Sequence, residues 1–391
     1  MKKLYKMLTL SFLVVLAVSL VVYLRLQPFR ELTSFVQYSG SQGFSSPAVP
    51  YDKTRKTVVV MADTKLTEMF DMMAPFFLFN ATEKANVYIV AEKKAPITMN
   101  KGPWVMPQFS FREFDSLDMH ADVIVLPFMN DAAGKEKVDW IKKHYSGSTI
   151  ILAICDGAVT AAATGLYDGK PLTAHASDFA DIKKDFPKPV WVQQCSYTQS
   201  GNLFSTAGVS NAVEGSLAVI NKLFGREEML KVLNMVNYHE QDLSREHKSI
   251  VINDADKKAA VMKMLFHKNR NIGILLQDSI SEIELAGIFD TYNRSLPTFV
   301  KAYTTNGSPV RSKYGLILIP TANFQKSNID EMHVLDPGSM TTADSSVLNN
   351  IDVIAYRHSD GKYIINKALA RIQDQYGNKF QVLVKRALDY N

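Results

Sequence analysis

One cysteine stands where chemistry could be done. Thr149-Ile150-Ile151-Leu152-Ala153-Ile154 is β-branched and apolar, as a buried strand should be. Ala158 to Ala163 is a good helix former that stops at Gly165. Cys155 lies on the break, with Ala153 two residues before it and Gly157 two after. That is the layout of a nucleophile elbow, a tight strand-to-helix turn that lifts one reactive side chain above the sheet. Small neighbours suit the strained, crowded backbone there. The helix N-terminus behind the sulfur predicts thiolate in preference to thiol. The alternative is a small residue buried in a strand.

Asp71 has the apolar neighbours Phe70, Met72 and Met73, which predict burial and a raised pKa. Glu68, on the same helical stretch, is the fallback acid. Cys195 reads as a plain strand residue, and a Cys155–Cys195 disulfide depends on geometry that spacing does not supply. Two cysteines make no disulfide framework, and no Cys/His spacing resembles a zinc site, so no metal or cofactor is expected. Asn80-Ala81-Thr82 fits a glycosylation triplet.

The elements that must position these residues alternate. Thr57 to Ala62 reads as a buried strand, followed by a helix to about Ala81. Val87 to Ala91 and Asp122 to Pro127 are further strands, and Ile97 with Trp104 to Pro107 suggests a short hairpin. Lys135 to His144 is a helix with Trp140 and Ile141 inward. Leu166 to His175 reads as a turn and short strand, Trp191 to Cys195 and Leu203 to Thr206 as strands, and Ala212 to Phe224 as a helix closed by Gly225. Alternation of this kind predicts a parallel sheet covered on both faces, with ligands at the carboxyl ends of its strands. Glu227 to Phe266 reads as mostly helical.

A repeat follows. A shift of 213 residues lays Asp71 on Glu284, Val87 on Val300, Pro96-Ile97 on Pro309-Val310, Gly102 on Gly315 and Pro107 on Pro320. A small further gap brings Leu126-Pro127 onto Asp336-Pro337. The second copy stops before the elbow, and Ile365 to Leu388 reads as two helices hinged at Gly377.

The chain has 391 residues, 47% hydrophobic and 21% charged, which is enough for two domains with real cores. A net charge of +5 without a Lys/Arg block or basic helix does not suggest nucleic acid. Met7 to Leu24 is 18 residues without a charge. It reads as an uncleaved membrane anchor, with secretion after signal cleavage as the alternative. Lys2, Lys3 and Lys6 before it place the N-terminus inside and the folded part outside the cytoplasm. Gln37 to Ala48 reads as a flexible tether. The division is therefore anchor 1–30, linker 31–56, complete unit 57–226, helical connection 227–268 and truncated repeat 269–391.

Ile154-Cys155-Asp156-Gly157-Ala158, Ala163-Thr164-Gly165-Leu166-Tyr167-Asp168-Gly169, Leu172-Thr173-Ala174-His175 and Ser205-Thr206-Ala207-Gly208-Val209 together resemble the ThiJ/PfpI superfamily. Its fold is that of class I glutamine amidotransferases, a flavodoxin-like doubly wound α/β sheet. The nearest resemblance is to the amidotransferase-like domain of AraC-type regulators and to isonitrile hydratase-like proteins. The resemblance covers roughly residues 57 to 225, and more weakly 270 to 390.

It implies roles residue by residue. Cys155 lies at the reactive cysteine. Asp71 lies at the acid that hydrogen-bonds the sulfur. His175 lies where several members place a histidine beside it. The backbone N–H groups of Asp156 and Gly157 lie at the anion hole. Asp156 departs from the usual neutral residue, and its carboxylate opposes thiolate and oxyanion by like-charge repulsion. No helix-turn-helix accompanies the domain. Two functions are therefore expected. In the first, the cleft binds a small molecule or senses oxidants through reversible sulfur oxidation. In the second, Cys155 is the nucleophile of a hydrolase or hydratase for a small electrophile, with His175 shuttling a proton. A homodimer is expected by analogy.

Overall fold

The computed structural model describes residues 2–32, 36–40, 50–100, 102–117, 119–243, 246–324 and 327–390. Helix α1 (Lys2–Leu32) precedes the first unit. That unit contains strands β1 (Lys56–Ala62), β2 (Ala85–Ala91), β3 (Trp104–Val105), β4 (Phe109–Ser110), β5 (Val123–Leu126), β6 (Ile150–Ala153), β7 (Pro171–Leu172), β8 (Val190–Trp191), β9 (Tyr197–Ser200) and β10 (Leu203–Thr206). Its helices are α2 (Met69–Ala81), α3 (Phe111–Ser116), α4 (Lys135–His144), α5 (Gly157–Ala163), α6 (Phe179–Asp185) and α7 (Ala212–Phe224). Seven strands form one sheet in the order β4-β2-β1-β5-β6-β10-β9, parallel except for the β9–β10 hairpin. The run β2-β1-β5-β6-β10 has the flavodoxin-like order, with its switch point between β1 and β5.

Period-two alternation assigns the two faces. Val58 and Val60 join the core under α2 and α7, whereas Val59 and Met61 join Phe114, Trp140 and Ala158 on the other face. Both faces are buried, so the strands read as continuous apolar runs.

After α8 (Arg226–Met235) and α9 (Asp254–Phe266) comes a second parallel sheet, ordered β12-β11-β15-β16. Its strands are β11 (Asn271–Leu275), β12 (Phe299–Tyr303), β15 (Glu331–Val334) and β16 (Asp352–Ala355), with β13 (Val310–Arg311) and β14 (Ile317–Ile319) beside it. Its helices are α10 (Glu282–Asn293), α11 (Thr342–Val347), α12 (Ile364–Tyr376) and α13 (Asn378–Ala387), the last two hinged at Gly377 with φ 83°. Residues 236–253, read as mostly helical, carry none of the helices named.

The two units share a core. α2 packs against α10, and Phe70, Phe76 and Phe79 belong to the same buried cluster as Ile283, Phe289 and Tyr292. Trp104 and Val105 pair across the boundary with Ile319 and Leu318, so β3 extends a sheet of the second unit beyond its bridge to Ile97.

One expectation fails outright. Among the described residues no helix is long and apolar enough to cross a membrane. This overturns the single-pass anchor and the placement of the folded units outside the cytoplasm. Within Met7 to Leu24 the side chains of Leu8 and Leu10 lie outside the described residues. The helix then continues through Arg25, whose Nη1 donates to the His267 carbonyl at 3.5 Å. At the start of the stretch read as a tether, Gln37 Nε2 donates to Lys65 O at 2.7 Å, and just before it Trp104 Nε1 donates to Val36 O at 2.9 Å. Residues 41–49 of that stretch lie outside the described residues. The Asn80 amide donates within α2 to Phe76 O at 2.9 Å.

A core shared by both units should unfold once. Phe289→Ala is expected to cost roughly 3–5 kcal/mol and to lower a single urea transition seen equally by probes in either unit. Two separate transitions in the unsubstituted protein would contradict the shared core.

Candidate functional site

The carboxyl ends of β1, β5, β6 and β10 meet at one place. Cys155 follows β6 with φ 54°, a left-handed backbone that a side chain adopts only under constraint. Its N–H faces Thr206 Oγ1 at 3.4 Å, and its carbonyl accepts from Ala158 N at 3.2 Å. Gly157 lies so close to the Leu126 carbonyl that a Cβ would collide with it. The elbow therefore needs glycine for approach, not for its own φ.

Glu68 is the N-cap of α2, and its Oε2 accepts from Asp71 N at 2.8 Å. Asp71 is fully buried. Its Oδ2 accepts from Phe128 N at 3.1 Å, which ties α2 to the loop after β5, and its Oδ1 has no partner. Burial pushes its carboxyl well above the usual range, Glu68 adds to this, and the Phe128 amide only partly opposes it. That direction favours the protonated acid, and the hydrogen bond to the sulfur that the resemblance implied for Asp71 is not made.

The sulfur does not behave as its position before a helix suggested. Burial, then the carboxylates of Asp156, Asp71 and Glu68, push the Cys155 thiol well up, and the Asp156 backbone N–H directed at it is outweighed. α5 has only seven residues, and several nearby carboxylates overwhelm its terminus. Cys155 rests as a thiol. The Gly157 N–H, expected in an anion hole, is spent on Ile154 O at 2.8 Å.

His175 is buried but does not make its described contacts with the sulfur. Its Nδ1 lies 3.5 Å from Asp178 Oδ2 and accepts from Ser177 N at 3.3 Å. Burial opposes its charge, yet Asp178 and Asp156 outweigh burial and raise its pKa. Asp156 is pushed up to about 7 by burial and by Asp178, against the pull of His175. These three form a titrating cluster beside the elbow.

Sequence reasoning missed the residues that arrive from far along the chain. Arg294, just after α10, places Nη1 3.3 Å from Asp290 Oδ1 and Nη2 3.7 Å from Glu68 Oε1, while its Nε donates to Ala387 O at 2.9 Å. Burial opposes its charge, but Asp290, Glu68 and Cys155 hold it on. Asp290 Oδ2 in turn accepts from Phe70 N at 3.1 Å. The chain's end also reaches the first unit: Ser210 N donates to Leu388 O at 3.1 Å, and Ser210 Oγ to Asp389 O at 2.8 Å. The Asp178 signal was available three residues after His175, as a turn partner. The i,i+4 spacing of Asp290 and Arg294 marks them as a helical pair, but nothing local points to Glu68 or Phe70. Cys155 and Cys195 are both free thiols.

Residues 55–222 match the DJ-1/PfpI family. Isonitrile hydratase of Pseudomonas putida is 22% identical over 201 residues, covering 49% of this chain and 86% of that protein. Protein dj-1beta of Drosophila melanogaster is 28% identical over 116 residues, covering 28% of this chain and 60% of that one. Among solved structures, Drosophila melanogaster DJ-1beta covers 46% of this chain and 96% of its own, with 22% identity and a TM-score of 0.42. A ThiJ/PfpI family protein from Pseudomonas syringae covers 51% and 84%, with 19% identity and a TM-score of 0.42.

Asp156→Asn removes a carboxylate beside the sulfur. The pH at which iodoacetamide alkylates Cys155 should fall, by on the order of one unit. An unchanged profile would show that Asp156 does not face the sulfur. The same substitution should alter stability. The folded carboxyl holds its proton up to about 7 against an ordinary 3.8, so the folded state binds more protons between those values. That contribution to stability is lost as pH rises through the window. Asp156→Asn should therefore flatten the fall of the urea midpoint across it.

Proposed function

From the premise that residues 55–222 are a DJ-1/PfpI domain, within the ThiJ/PfpI superfamily, we propose that Cys155 serves a small-molecule site and adds, as a thiol, to a small neutral electrophile. The observation that carries this reading is Asp71. It is buried, held by the Phe128 amide on one oxygen and partnerless on the other, and burial raises its pKa as it raises that of the sulfur.

The step balances. Cys155 sulfur bonds the electrophilic carbon, Asp71 gives its proton to the substrate, and the thiol proton replaces it on Asp71. Water then displaces the sulfur, which leaves a hydrated product and the free thiol. Hydration of an isonitrile needs a proton and a nucleophile at one carbon, which accords with the name of the Pseudomonas putida relative. Asp156 N–H is the donor to the sulfur, and His175 with Asp178 acts through the Asp156 carboxyl, not on the thiol. Oxidant sensing has less support, because oxidation to sulfenic acid proceeds through thiolate.

We also infer that residues 269–391 are a reduced copy of residues 57–226. The shift of 213 residues lays α2 on α10, β1 on β11 and β2 on β12, and the order β12-β11-β15-β16 reads as β2-β1-β5-β6. On this reading the copy runs further than its sequence suggests: β16 fills the place of β6, and Tyr356 follows it where an elbow would stand. The α2 face is covered by α10, so a homodimer would use another surface.

Full chain incubated with cyclohexyl isocyanide should yield the formamide. Cys155→Ala should abolish this, and Asp71→Asn should slow it about a hundredfold or more. No product with the unsubstituted chain, together with dimedone-trapped sulfenic acid at micromolar peroxide, would reverse the choice in favour of sensing.

A further inference from the structure

The carboxyl ends of β11, β15 and β16 open into a cavity of about 610 Å³. Ligands on parallel sheets collect at such ends, where the connecting loops part. The floor is apolar: Phe77 from α2, Ile280, Ile283, Leu335 and the ring of Tyr356, all buried. Polar groups stand on the rim.

The rim acids are accounted for. Glu284 Oε1 lies 3.3 Å from His358 Nδ1. Asp336 accepts from Gly338 N at 3.1 Å and from the Ser339 hydroxyl. Two rim cations are not matched in this way. Among the described residues, neither Lys313 nor Arg357 has a carboxylate within ion-pair distance. Lys313 Nζ lies over the rings of Phe77 and Tyr314, at 5.2 and 5.5 Å, and Arg357 offers only its backbone carbonyl, to Lys367. Ser281, the N-cap of α10 and part of the same lining, makes no capping bond with its side chain. Lys313 bears electrostatically on the buried Glu282 carboxylate without forming an ion pair with it. An apolar floor under two cations outside ion pairs and a free hydroxyl fits an anionic head on an apolar body. The Tyr356 hydroxyl is turned away from the cavity into the core, 2.9 Å from His333 Nδ1 and 3.1 Å from Tyr292 OH, so its ring alone contributes to the floor.

We propose that this cavity binds, without turnover, a small organic carboxylate carried on a compact apolar or aromatic body, its head between Lys313 and Arg357. The site is independent of the sulfur's chemistry.

Titration calorimetry on the full chain with phenylacetate, and with the neutral isostere phenylacetamide, tests it. Phenylacetate should bind saturably, one per chain, and about tenfold or more tighter than the amide. Arg357→Gln and Lys313→Gln should each weaken phenylacetate about tenfold and leave the amide unchanged, with thermal midpoints preserved. Cys155→Ser should bind phenylacetate as the unsubstituted chain does, and loss of binding there would move the site to the elbow. Equal affinity for acid and amide, no saturable binding in the millimolar range, or indifference to both cation substitutions would overturn the proposal.

Discussion

Everything at the elbow depends on the packing of α2 against α10. α2 is buried along nearly all of its length, with the first sheet on one side and the second unit on the other. Its first turn carries Glu68 and Asp71, and the loop after β5 is fastened to that turn through Phe128. The last turn of α10 brings Asp290 to the amide of Phe70 and Arg294 to Glu68. A surface helix could not hold a carboxyl group so far from water. The depth that makes Asp71 an acid comes from the neighbour that seals it in.

The electrostatics of the pocket follow from that depth. Arg294 lies between Asp290 and Glu68, and Asp71 feels the charges of Glu68, Asp290 and Asp156. Burial and this crowding raise the pKa of Asp71, Asp156 and Asp290, and the sulfur is one of the places where a proton stays. A solvated elbow with the same residues would ionise them separately. Burial and crowding thus reverse the bias a helix terminus exerts on a cysteine.

What could be read from the residues was local. Lys135–His144, the close of α7 at Gly225 and the hinge at Gly377 each carry their own capping or periodic signal. The elbow could be read because strand, cysteine and small residues are contiguous. β16 was invisible because Asp352–Ala355 is largely exposed and lacks the apolar run of a buried strand. Arg294 was invisible for another reason: its partner Glu68 lies in the other unit, and no local pattern announces a contact made only by tertiary packing. The misjudged thiol state has the same origin, since the neighbours that set it are assembled by the fold. The assignment of an anchor rested on hydropathy alone.

In a symmetric pair of identical subunits every substitution is made twice, and a charge introduced over one centre appears over both. Here the facing helices are written once each. Two hundred and thirteen residues before Arg294 stands Ala81, and before Asp290 stands Phe77. On the proposed reading of residues 269–391 as a reduced copy, the two halves do not mirror one another: one carries a guanidinium and an acid where the other carries a methyl and a ring. Such asymmetry is open to a single polypeptide and closed to a homodimer.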